Sequence, residues 1–378
     1  MEGGASVMAV PAAASADMDV EKSAPSQPQQ PLDTELAEFS RSWEALTQEE
    51  LSSADYYFNS YAHFGIHEEM LKDSVRTGTY QKAILQNKHL FKDKVVLDVG
   101  SGSGILSMFA ARAGAKKVIG IECSEIVDVA RKLVAHNGLA DVIEFVQGKA
   151  EEVELPVDKV DIIVSEWMGY FLLYESMLDT VLFCRDKWLK PGGLIYPDHA
   201  SLWVAAIEDG EYKEEKIGFW TRVWGFDFGV VQKVAMEEPI VDTVNSQAIT
   251  SQAWRLLHLD LNTCKASDAD FVSKFELKIT RKDHIHALVA WFDCSFECCH
   301  RPIMFTTGPF GKYTHWKQTV FYLEDEIAAN PGETLEGIMA VRKSKKNPRD
   351  LDIKLRYRFD GKEVPKGGVD RTQYFRLR

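Results

Sequence analysis

A glycine-rich turn between a buried strand and a helix most constrains the fold of this chain. The segment from Val95 to Gly104 reads VVLDVGSGSG, an apolar run that ends in three glycines at alternate positions. Glycine lets a ligand approach the backbone because no Cβ stands in the way. Glu122 follows Gly104 by eighteen residues, at the end of the next predicted strand, where a carboxylate can bind both hydroxyls of a ribose. The segment predicts a nucleoside-binding turn in an α/β domain.

The pattern around this turn alternates between strands and helices. Short apolar runs predict strands at 95–97, 117–121, 142–146, 160–164 and 194–196, and helical patterns lie between most of them. One of these patterns predicts a helix from about Leu173 to Trp188 that ends at a turn over residues 190–193. Such alternation is typical of a doubly wound parallel sheet. After Pro197 the runs alternate apolar and polar residues with little helical periodicity, which predicts a mostly antiparallel sandwich or barrel. We therefore expect an α/β domain over 46–198 and a β domain over 199–378.

Two segments do not fit this simple division. Residues 1–45 are predicted to be a disordered tail, because the first 38 contain no aromatic residue and four of the thirteen prolines. Residues 210–235 interrupt the β domain and are dense in aromatic residues. They could be packed core, but their position between strands favours an arm that projects and buries its rings against a second subunit.

The composition limits the possible partners and compartments. There are 44 basic and 57 acidic residues, so the net charge is −13, which argues against direct nucleic-acid binding and favours a cationic partner. No apolar window approaches the ~18 residues of a membrane span. The six cysteines show no framework spacing, so we expect reduced thiols. We predict no metal at Cys294, Cys298, Cys299 and His300, because no second cysteine pair accompanies them.

A second unusual segment follows the fourth predicted strand of the α/β domain. Residues 165–177 read SEWMGYFLLYESM, in which Glu166 and Glu175 flank an aromatic-rich loop. In a doubly wound sheet, ligands bind beyond the carboxyl ends of the strands. Two carboxylates in an apolar site are costly unless a cation pairs with them. The spacing alone also allows two loop glutamates that face water.

The form of the glycine turn distinguishes two cofactor classes. A dinucleotide fingerprint requires G-x-G-x-x-G, but Ile105 occupies the sixth position here. The turn is instead G-x-G-x-G with Asp98 two residues before it, which resembles the S-adenosylmethionine turn of class I methyltransferases.

Together these motifs make the chain similar to the type I protein arginine N-methyltransferases, and in particular to the predominant branch of that family. The similarity extends from about residue 56 to the C-terminus. The segment YFNSY at 57–61 matches the family's signature helix, and Thr314-His315-Trp316 matches its substrate-side loop. The resemblance implies a Rossmann-like class I methyltransferase domain with an N-terminal lid helix, followed by a mostly antiparallel β-barrel domain with an inserted helical dimerisation arm.

The resemblance also implies an activity. Methyl groups would pass from S-adenosylmethionine, leaving S-adenosylhomocysteine, to a guanidino nitrogen of arginine in Arg/Gly-rich proteins and histone tails. The products would be monomethylarginine and asymmetric dimethylarginine. A homodimer or higher oligomer would form through the arm, and the protein would lie in the cytoplasm and nucleus.

Site residues carry over position by position from the matched motifs. Glu166 and Glu175 would hold and polarise the guanidinium. His315, paired with Asp73, would either take the proton or have a structural role, and both remain open. The expected cofactor residues are His67, Arg76, Asp98, Gly100, Gly102, Gly104, Glu122, Cys123, Glu151, Tyr57 and Tyr61. The expected substrate pocket is formed by Met70, Met177, Glu69 and Trp316.

Three other functions stay possible at this point. A methyltransferase for nucleic acids or small molecules is disfavoured by the paired glutamates and the net charge of −13. A weakly active scaffold for Arg-rich partners and a nicotinamide-dependent oxidoreductase are the others. The basic run at 342–346 is interpreted as a solvated hairpin loop, with a nuclear signal as the alternative.

Overall fold

The structure is a computed structural model that describes residues 63–378. The predicted tail, the first part of the lid helix, and Tyr57 and Tyr61 lie outside the described residues. The described α/β part contains six helices and five strands. In chain order these are α1 (Phe64–Lys72), α2 (Ser74–Leu85), α3 (Lys88–Phe91), β1 (Val95–Val99), α4 (Ile105–Arg112), β2 (Lys117–Glu122), α5 (Ile126–His136), β3 (Ile143–Gln147), β4 (Val160–Ser165), α6 (Leu178–Trp188) and β5 (Leu189–Tyr196).

The five strands form a parallel sheet in the order β3-β2-β1-β4-β5. The central strands are apolar along most of their length because helices cover both faces, and Val96, Leu97 and Ile163 are fully buried. The strand order reverses between β1 and β4, which pair directly. A crevice opens at the carboxyl ends of strands at such a switch point, and ligands bind there in open α/β sheets.

The predicted helix that was to begin near Leu173 begins five residues later, at Leu178. Phe171, Leu172 and Glu175 adopt positive φ angles of 50°, 65° and 54°, which no helix allows. The apolar residues before α6 therefore pack inside a tight hairpin instead of on a helix face. The predicted turn at 190–193 likewise lies within β5, which starts directly after α6.

The β part follows a short connection through the buried Asp198. Its strands are β6 (His199–Ile207), β7 (Arg222–Val223), β8 (Phe226–Asp227), β9 (Ile240–Asp242), β10 (Trp254–Asp260), β11 (Phe271–Lys278), β12 (Asp283–Phe296), β13 (Ile303–Thr306), β14 (Gln318–Ala329), β15 (Thr334–Lys343), β16 (Leu351–Phe359) and β17 (Val369–Leu377). One antiparallel sheet has the order β10-β6-β12-β14-β9, with β13 beside β12, and a second has the order β11-β15-β16-β17. The sheets meet at β10 and β11 and at β14 and β17, and so enclose a barrel core.

The inserted segment differs from a single helix. It contains α7 (Gly210–Lys216), a 3₁₀ turn (Gly218–Thr221), the two-residue strands β7 and β8, and α8 (Gly229–Glu237). Trp224 is 96% exposed and Val230 is 81% exposed. We call residues 210–237 the arm. Within the described part of the chain, no helix has the length and apolar character that crossing a membrane requires.

Candidate active site

A cavity of about 520 Å³ lies at the carboxyl ends of β1, β2 and β4, and its volume suits a small ligand. Residues from α1, α2 and two loops of the barrel also line it. Most of the site residues expected from the sequence come together there: Glu166, Glu175, His315, His67, Arg76, Gly100, Gly102, Glu122, Cys123, Glu151, Met70, Met177, Glu69 and Trp316. Asp73, Asp98 and Gly104 do not line the cavity, and their positions show other roles.

The glycine turn has the backbone that its sequence predicts. Gly100 and Gly102 have φ angles of 71° and 54° and face the cavity. A Cβ at Gly100 would lie 2.5 Å from the Met177 Cε atom, and one at Gly102 would lie 3.1 Å from the His67 ring. Gly104 has a φ of 81° and precedes α4, where a Cβ would lie 2.9 Å from the Phe145 ring. Gly104 therefore serves helix packing, while the first two glycines shape the cavity.

Glu122 is fixed at the end of β2 by contacts with the turn. One carboxylate oxygen accepts a hydrogen bond from Gly102 N–H at 2.8 Å. The other accepts from the N–H and the hydroxyl of Ser124, both at 2.8 Å. These donors hold the carboxylate in one orientation at the cavity wall, as a ribose ligand requires.

Asp98 lies beneath the turn and is 1% exposed. Its Oδ2 accepts a hydrogen bond from the Ser107 hydroxyl at 2.7 Å, and its Oδ1 has no partner among the described residues. Burial raises the pKa of Asp98 to about 7, although the bonds from Ser107 act in the opposite direction. Because its hydrogen bonds come from Ser107 of α4, Asp98 connects the end of β1 with this helix and so supports the turn.

Arg76 and Glu166 connect the cofactor end of the cavity with the predicted substrate end. The Nε atom of Arg76 donates to Glu166 Oε2 at 2.9 Å, and its Nη2 atom lies 2.8 Å from the same oxygen. Both side chains are at most 10% exposed. Arg76 also donates to the Met70 carbonyl at 3.4 Å, so α1, α2 and the end of β4 are joined at this point.

The loop between Glu166 and Glu175 is a compact hairpin. Gly169 N–H donates to the Leu172 carbonyl at 3.0 Å, and Tyr174 N–H donates to the Tyr170 carbonyl at 3.0 Å. A Cβ on Gly169 would lie 1.5 Å from the Tyr174 carbonyl oxygen, so only glycine fits there. Glu175 N–H donates to the carbonyl of Arg349, in the loop between β15 and β16, at 2.9 Å. A barrel loop thus holds the backbone of Glu175 in place.

The Thr-His-Trp loop of the barrel forms two further contacts with the α/β part. His315 Nδ1 lies 2.8 Å from Asp73 Oδ2, and His315 N–H donates to the same oxygen at 3.0 Å. Burial alone would raise the pKa of Asp73, but the hydrogen bonds from His315 and from Arg76 N–H outweigh it and lower the pKa. Trp316 Nε1 donates to the Met168 carbonyl at 3.1 Å. Asp73 thus positions His315 without lining the cavity.

Glu151, Thr180 and Cys123 also line the predicted cofactor end of the cavity. Glu151 accepts a hydrogen bond from the Thr180 hydroxyl at 2.9 Å. Burial, followed by the nearby charge of Glu122, raises the pKa of the Cys123 thiol. The cavity lining contains five carboxylates and three lysine or arginine side chains, so its charge favours a cationic substrate.

Some residues that line the cavity were not predicted from the sequence. Arg349, Tyr170 and Tyr174 line the cavity, together with Lys149 and Thr180. Arg349 lies only three residues beyond the basic run at 342–346, where Arg342 and Lys343 pair with Asp352 and Asp179. Arg349 had no sequence signal, because the contact with Glu175 joins residues that are far apart in the chain. The two tyrosines were visible in the aromatic loop but had no assigned role.

Comparisons with family models divide the chain at the observed boundary. A methyltransferase domain model matches residues 96–193, and a model described as the arginine methyltransferase oligomerization subdomain matches residues 198–362.

Similar proteins match the chain over both of these parts. Protein arginine N-methyltransferase 1 of Chlamydomonas reinhardtii is 56% identical over 334 residues, which is 88% of this chain and 96% of that protein. The protein of that name in Schizosaccharomyces pombe is 55% identical over 86% of this chain and 96% of its own length.

Among solved structures, the Trypanosoma brucei PRMT1 enzyme–prozyme heterotetrameric complex with AdoHcy matches with a TM-score of 0.82 and 46% identity. The match covers 84% of this chain and 100% of that chain. Arabidopsis thaliana protein arginine methyltransferase 10 matches with a TM-score of 0.76 and 32% identity, over 85% of this chain and 100% of its own. The identity over nearly the whole length of these relatives shows that the chain belongs to the protein arginine N-methyltransferase family.

Proposed function

We propose that this chain is a type I enzyme that transfers methyl groups from S-adenosylmethionine to arginine in proteins, giving monomethylarginine and asymmetric dimethylarginine. One observation carries the proposal. A single cavity joins the glycine turn and Glu122 to the hairpin of Glu166 and Glu175, and the Arg76–Glu166 ion pair connects the two ends. A nucleoside cofactor and a cationic side chain could therefore bind next to each other.

The residues at the cofactor end fit S-adenosylmethionine. The positive φ angles of Gly100 and Gly102 leave backbone accessible where a Cβ would collide with its neighbours. Glu122 would bind the ribose hydroxyls, and Arg76 the methionine carboxylate. When bound, this cofactor supplies an electrophilic methyl group on a sulfonium. The AdoHcy in the similar Trypanosoma brucei complex supports the assignment.

The other expected cofactor residues belong to the same end. His67 is buried against Gly102, while Cys123 and Glu151 lie on the outer wall, where an adenine would be accommodated. Tyr57 and Tyr61 would cover the bound cofactor. Asp98 and Gly104 would act indirectly, through the shape of the turn and the start of α4.

Glu166 and Glu175 would bind the substrate guanidinium. A guanidinium remains protonated at neutral pH because its pKa is far above that range, so it forms strong charge-assisted hydrogen bonds with carboxylates. Both contacts of Arg76 use Glu166 Oε2, which leaves Oε1 to accept from the substrate. Two carboxylates draw positive charge toward the nitrogens they bind, and the remaining nitrogen becomes the better nucleophile. Alignment of that nitrogen would be the main catalytic contribution of the chain.

His315 would act at the edge of this site. Its Nδ1 is hydrogen-bonded to Asp73 Oδ2, which holds the ring in one orientation. Nε2 lies on the opposite edge of the ring. Both a proton acceptor and a positioning role fit this geometry. The dependence of turnover on pH in His315→Gln distinguishes them, since an unchanged profile would leave only the positioning role.

Met70 and Met177 would determine the product type. Both line the cavity, and Met177 packs against Gly100 between the two ends. The flexible thioether side chains would leave space for an arginine that already carries one methyl group, so that the second methyl reaches the same nitrogen. Glu69 and Trp316 would complete the arginine pocket.

The substrates would be Arg/Gly-rich proteins and histone tails. The net charge of −13 and the excess of carboxylates in the cavity favour such cationic partners, mainly by steering their approach. We expect no direct binding to nucleic acids or membranes. We place the protein in the cytoplasm and nucleus, which imaging of a fluorescent fusion would test.

The oligomerisation subdomain is present, and the arm would connect two copies of the chain. Phe219, Trp224, Phe226 and Val230 are between 54% and 96% exposed within a short segment. An apolar surface of this kind is typical of an interface. Light scattering of Trp224→Ser against the wild type would test a dimer through the arm.

A product assay tests the proposed activity. The protein would be mixed with S-adenosylmethionine and a Gly-Arg-Gly peptide, and the product fragmented by mass spectrometry. Loss of dimethylamine is expected, since both methyl groups would lie on one nitrogen. Loss of monomethylamine from a dimethylated arginine would contradict the type, and unmodified peptide with bound cofactor would favour a scaffold that binds Arg-rich partners.

Glu175→Gln is the matched variant for this assay. It keeps the size of the side chain and removes the charge, so cofactor binding should persist while methylation is lost. A peptide with lysine in place of arginine should remain unmodified, because it lacks the planar group that two carboxylates can bind.

A further inference from the structure

A cluster of two histidines and a glutamate lies at the base of the arm, on the barrel. His284 and His286 are two residues apart on β12, so their side chains lie on the same face of the strand. Glu326 comes from β14, the neighbouring strand. The three possible ligand atoms lie within 4.8 Å of one another.

An irregularity in the sheet brings the glutamate to the histidines. Ile285 pairs with Ile327, but Ala287 pairs with Tyr322, so four residues of β14 stand opposite His286 alone. Bulges of this kind redirect side chains and are common beside binding sites. As a result, Glu326 Oε1 is hydrogen-bonded with His284 Nδ1 and lies 3.6 Å from His286 Nε2. One carboxylate oxygen thus faces both rings.

From this arrangement we propose that His284, His286 and Glu326 form a binding site for a divalent transition-metal ion, with Zn²⁺ as the best match. Imidazole nitrogens and a carboxylate oxygen are a ligand set that zinc favours, whereas Mg²⁺ and Ca²⁺ prefer oxygen alone. Zinc lies at about 2.0–2.2 Å from such ligands, so their mutual distances would be roughly 3.4 Å. The three ligand atoms lie within 4.8 Å of one another, and His284 and Glu326 are exposed, so their side chains can rotate toward that spacing.

A carboxylate lies beside Nδ1, the ring nitrogen of His286 that would not bind the metal. A histidine that binds a metal through one nitrogen usually donates the other N–H to a carboxylate. His286 Nδ1 lies 3.6 Å from Glu208 Oε1 and 3.2 Å from Asp209 N–H. Metal binding would select the tautomer with a proton on Nδ1, which would then donate to Glu208 in place of accepting from Asp209.

The absence of a side chain at Gly210 leaves space beside His286 Nε2, the proposed ligand atom. A Cβ there would lie 2.9 Å from His286 Nε2. His286 and Glu326 also line a cavity of about 700 Å³ beneath α8, which gives an ion a path from solvent. The nearby cation Lys213 donates to the Leu323 carbonyl at 2.7 Å, while Glu208, Asp209, Glu324 and Asp325 add negative charge.

The site would join two barrel strands and, through Glu208, the base of the arm. The three ligands lie on β12 and β14, so a bound ion would cross-link these strands. Glu208, where the chain leaves β6 toward α7, would extend this link through its contact with His286 Nδ1. This consequence does not depend on the methylation chemistry, since none of these residues lines the active-site cavity.

Zinc titration of the full chain tests the site. After treatment with a chelator, the protein would compete with a chromophoric zinc indicator for Zn²⁺. We expect one equivalent per chain and a higher Tm with zinc. Glu326→Gln and His284→Asn change exposed residues and should each weaken binding by at least about tenfold. Glu208→Gln should weaken it less.

Two controls separate this site from others on the chain. His258 stacks on His199 elsewhere in the barrel, and His258→Asn should bind zinc like the wild type. Cys298→Ser should also bind normally, which excludes the Cys298 thiol as a ligand. The proposal is wrong if the wild type binds no zinc, if Glu326→Gln and His284→Asn bind it unchanged, or if the serine variant alone loses it.

Discussion

The two ends of the active-site cavity are built in different ways. At the cofactor end, the contacts are local: Gly102 and Glu122 are 20 residues apart, and Asp98 and Ser107 only 9. At the substrate end, Asp73 and His315 are 242 residues apart, and the Arg76–Glu166 pair that connects the two ends spans 90 residues. The cofactor end can thus form with its own βαβ unit, whereas the substrate end needs the barrel to dock. Variants at the two ends should therefore fail differently.

The largest effect is expected for Gly169→Ala at the substrate end. A Cβ placed 1.5 Å from the Tyr174 carbonyl oxygen forces the hairpin open and displaces Glu175. We expect kcat/KM to fall by at least about 100-fold, as misplacement by about 1 Å can cause, while the cofactor still binds. Methylation kinetics and calorimetry would measure the two effects.

Gly78→Ala is the matched control for that variant. Gly78 lies within α2, and among residues 63–378 a Cβ there would meet no atom outside its own stretch of helix within 4 Å. Alanine should stabilise the helix by about 0.5–1 kcal/mol without loss of activity. Nearly normal activity in Gly169→Ala would show that the hairpin does not position the glutamate.

Arg76→Ala should affect both ends together. It leaves Glu166 buried without its cation, and breaking a buried ion pair in this way typically costs about 3–5 kcal/mol. We expect lower stability, weaker cofactor binding and lower turnover. A double-mutant cycle with Glu166→Ala, followed by urea denaturation, would measure the coupling. Additive effects of the two substitutions would contradict a connection between the ends.

Asp98→Asn tests the cofactor end through pH. The pKa of Asp98 is raised to about 7 by burial, so between about 4 and 7 the folded state binds more protons than the unfolded state. The free energy of unfolding should therefore fall as the pH rises through this range, by about 2–4 kcal/mol from this residue. Asparagine removes that contribution.

The unfolding free energies of the wild type and of Asp98→Asn would be measured from pH 5 to pH 8. In their difference, the contributions of the other titratable groups cancel. The variant should become relatively more stable as the pH rises. A constant difference would mean that Asp98 has the same pKa in both states.

Asp73→Asn should have the smallest effect of the four and the opposite dependence on pH. Because the pKa of Asp73 is lowered in the folded state, its contribution is complete above the unfolded pKa of about 3.9 and is lost as the pH falls through the folded pKa. Loss of a charge-assisted hydrogen bond to His315 should cost about 2 kcal/mol at neutral pH. Urea denaturation at pH 7 and pH 3.5 should show a smaller difference at the lower pH.

Turnover would show whether this link also matters for catalysis. Asp73→Asn should lower kcat more than it changes the affinity for cofactor, since the freed His315 ring lies at the substrate end. His315→Asn should produce no further loss when combined with it. A further loss would indicate that His315 acts without support from Asp73.

Much of the fold could be predicted from periodicity. The five parallel strands and the change to antiparallel strands after Pro197 appear in the structure where the patterns indicated them. The predicted start of α6 was wrong. The apolar residues 171–174 are buried inside a hairpin, and this burial gives the same apolar pattern as burial on a helix face. Periodicity reports burial, and two backbone shapes that bury the same residues give the same pattern.

The candidate site shows the same limit. Most of the expected residues lie together in the cavity. Arg349 was missed because its backbone carbonyl makes the contact with Glu175, and any residue type supplies a carbonyl. The indirect roles of Gly104 and Asp98 were also not predictable, since the sequence shows that a turn needs these residues but not which side of it they face.

The sequence by itself determined the α/β order, the glycine turn and the position of Glu122 at the end of the second strand, because these depend on short-range sterics and on the spacing of apolar residues. Only the tertiary structure decided that Arg76 pairs with Glu166, that the barrel loops hold Glu175 and His315, and that His284, His286 and Glu326 meet. These contacts join residues across strands and domains, and their geometry depends on how separately formed elements pack. Local sequence specifies each element, whereas their packing specifies which polar groups face each other.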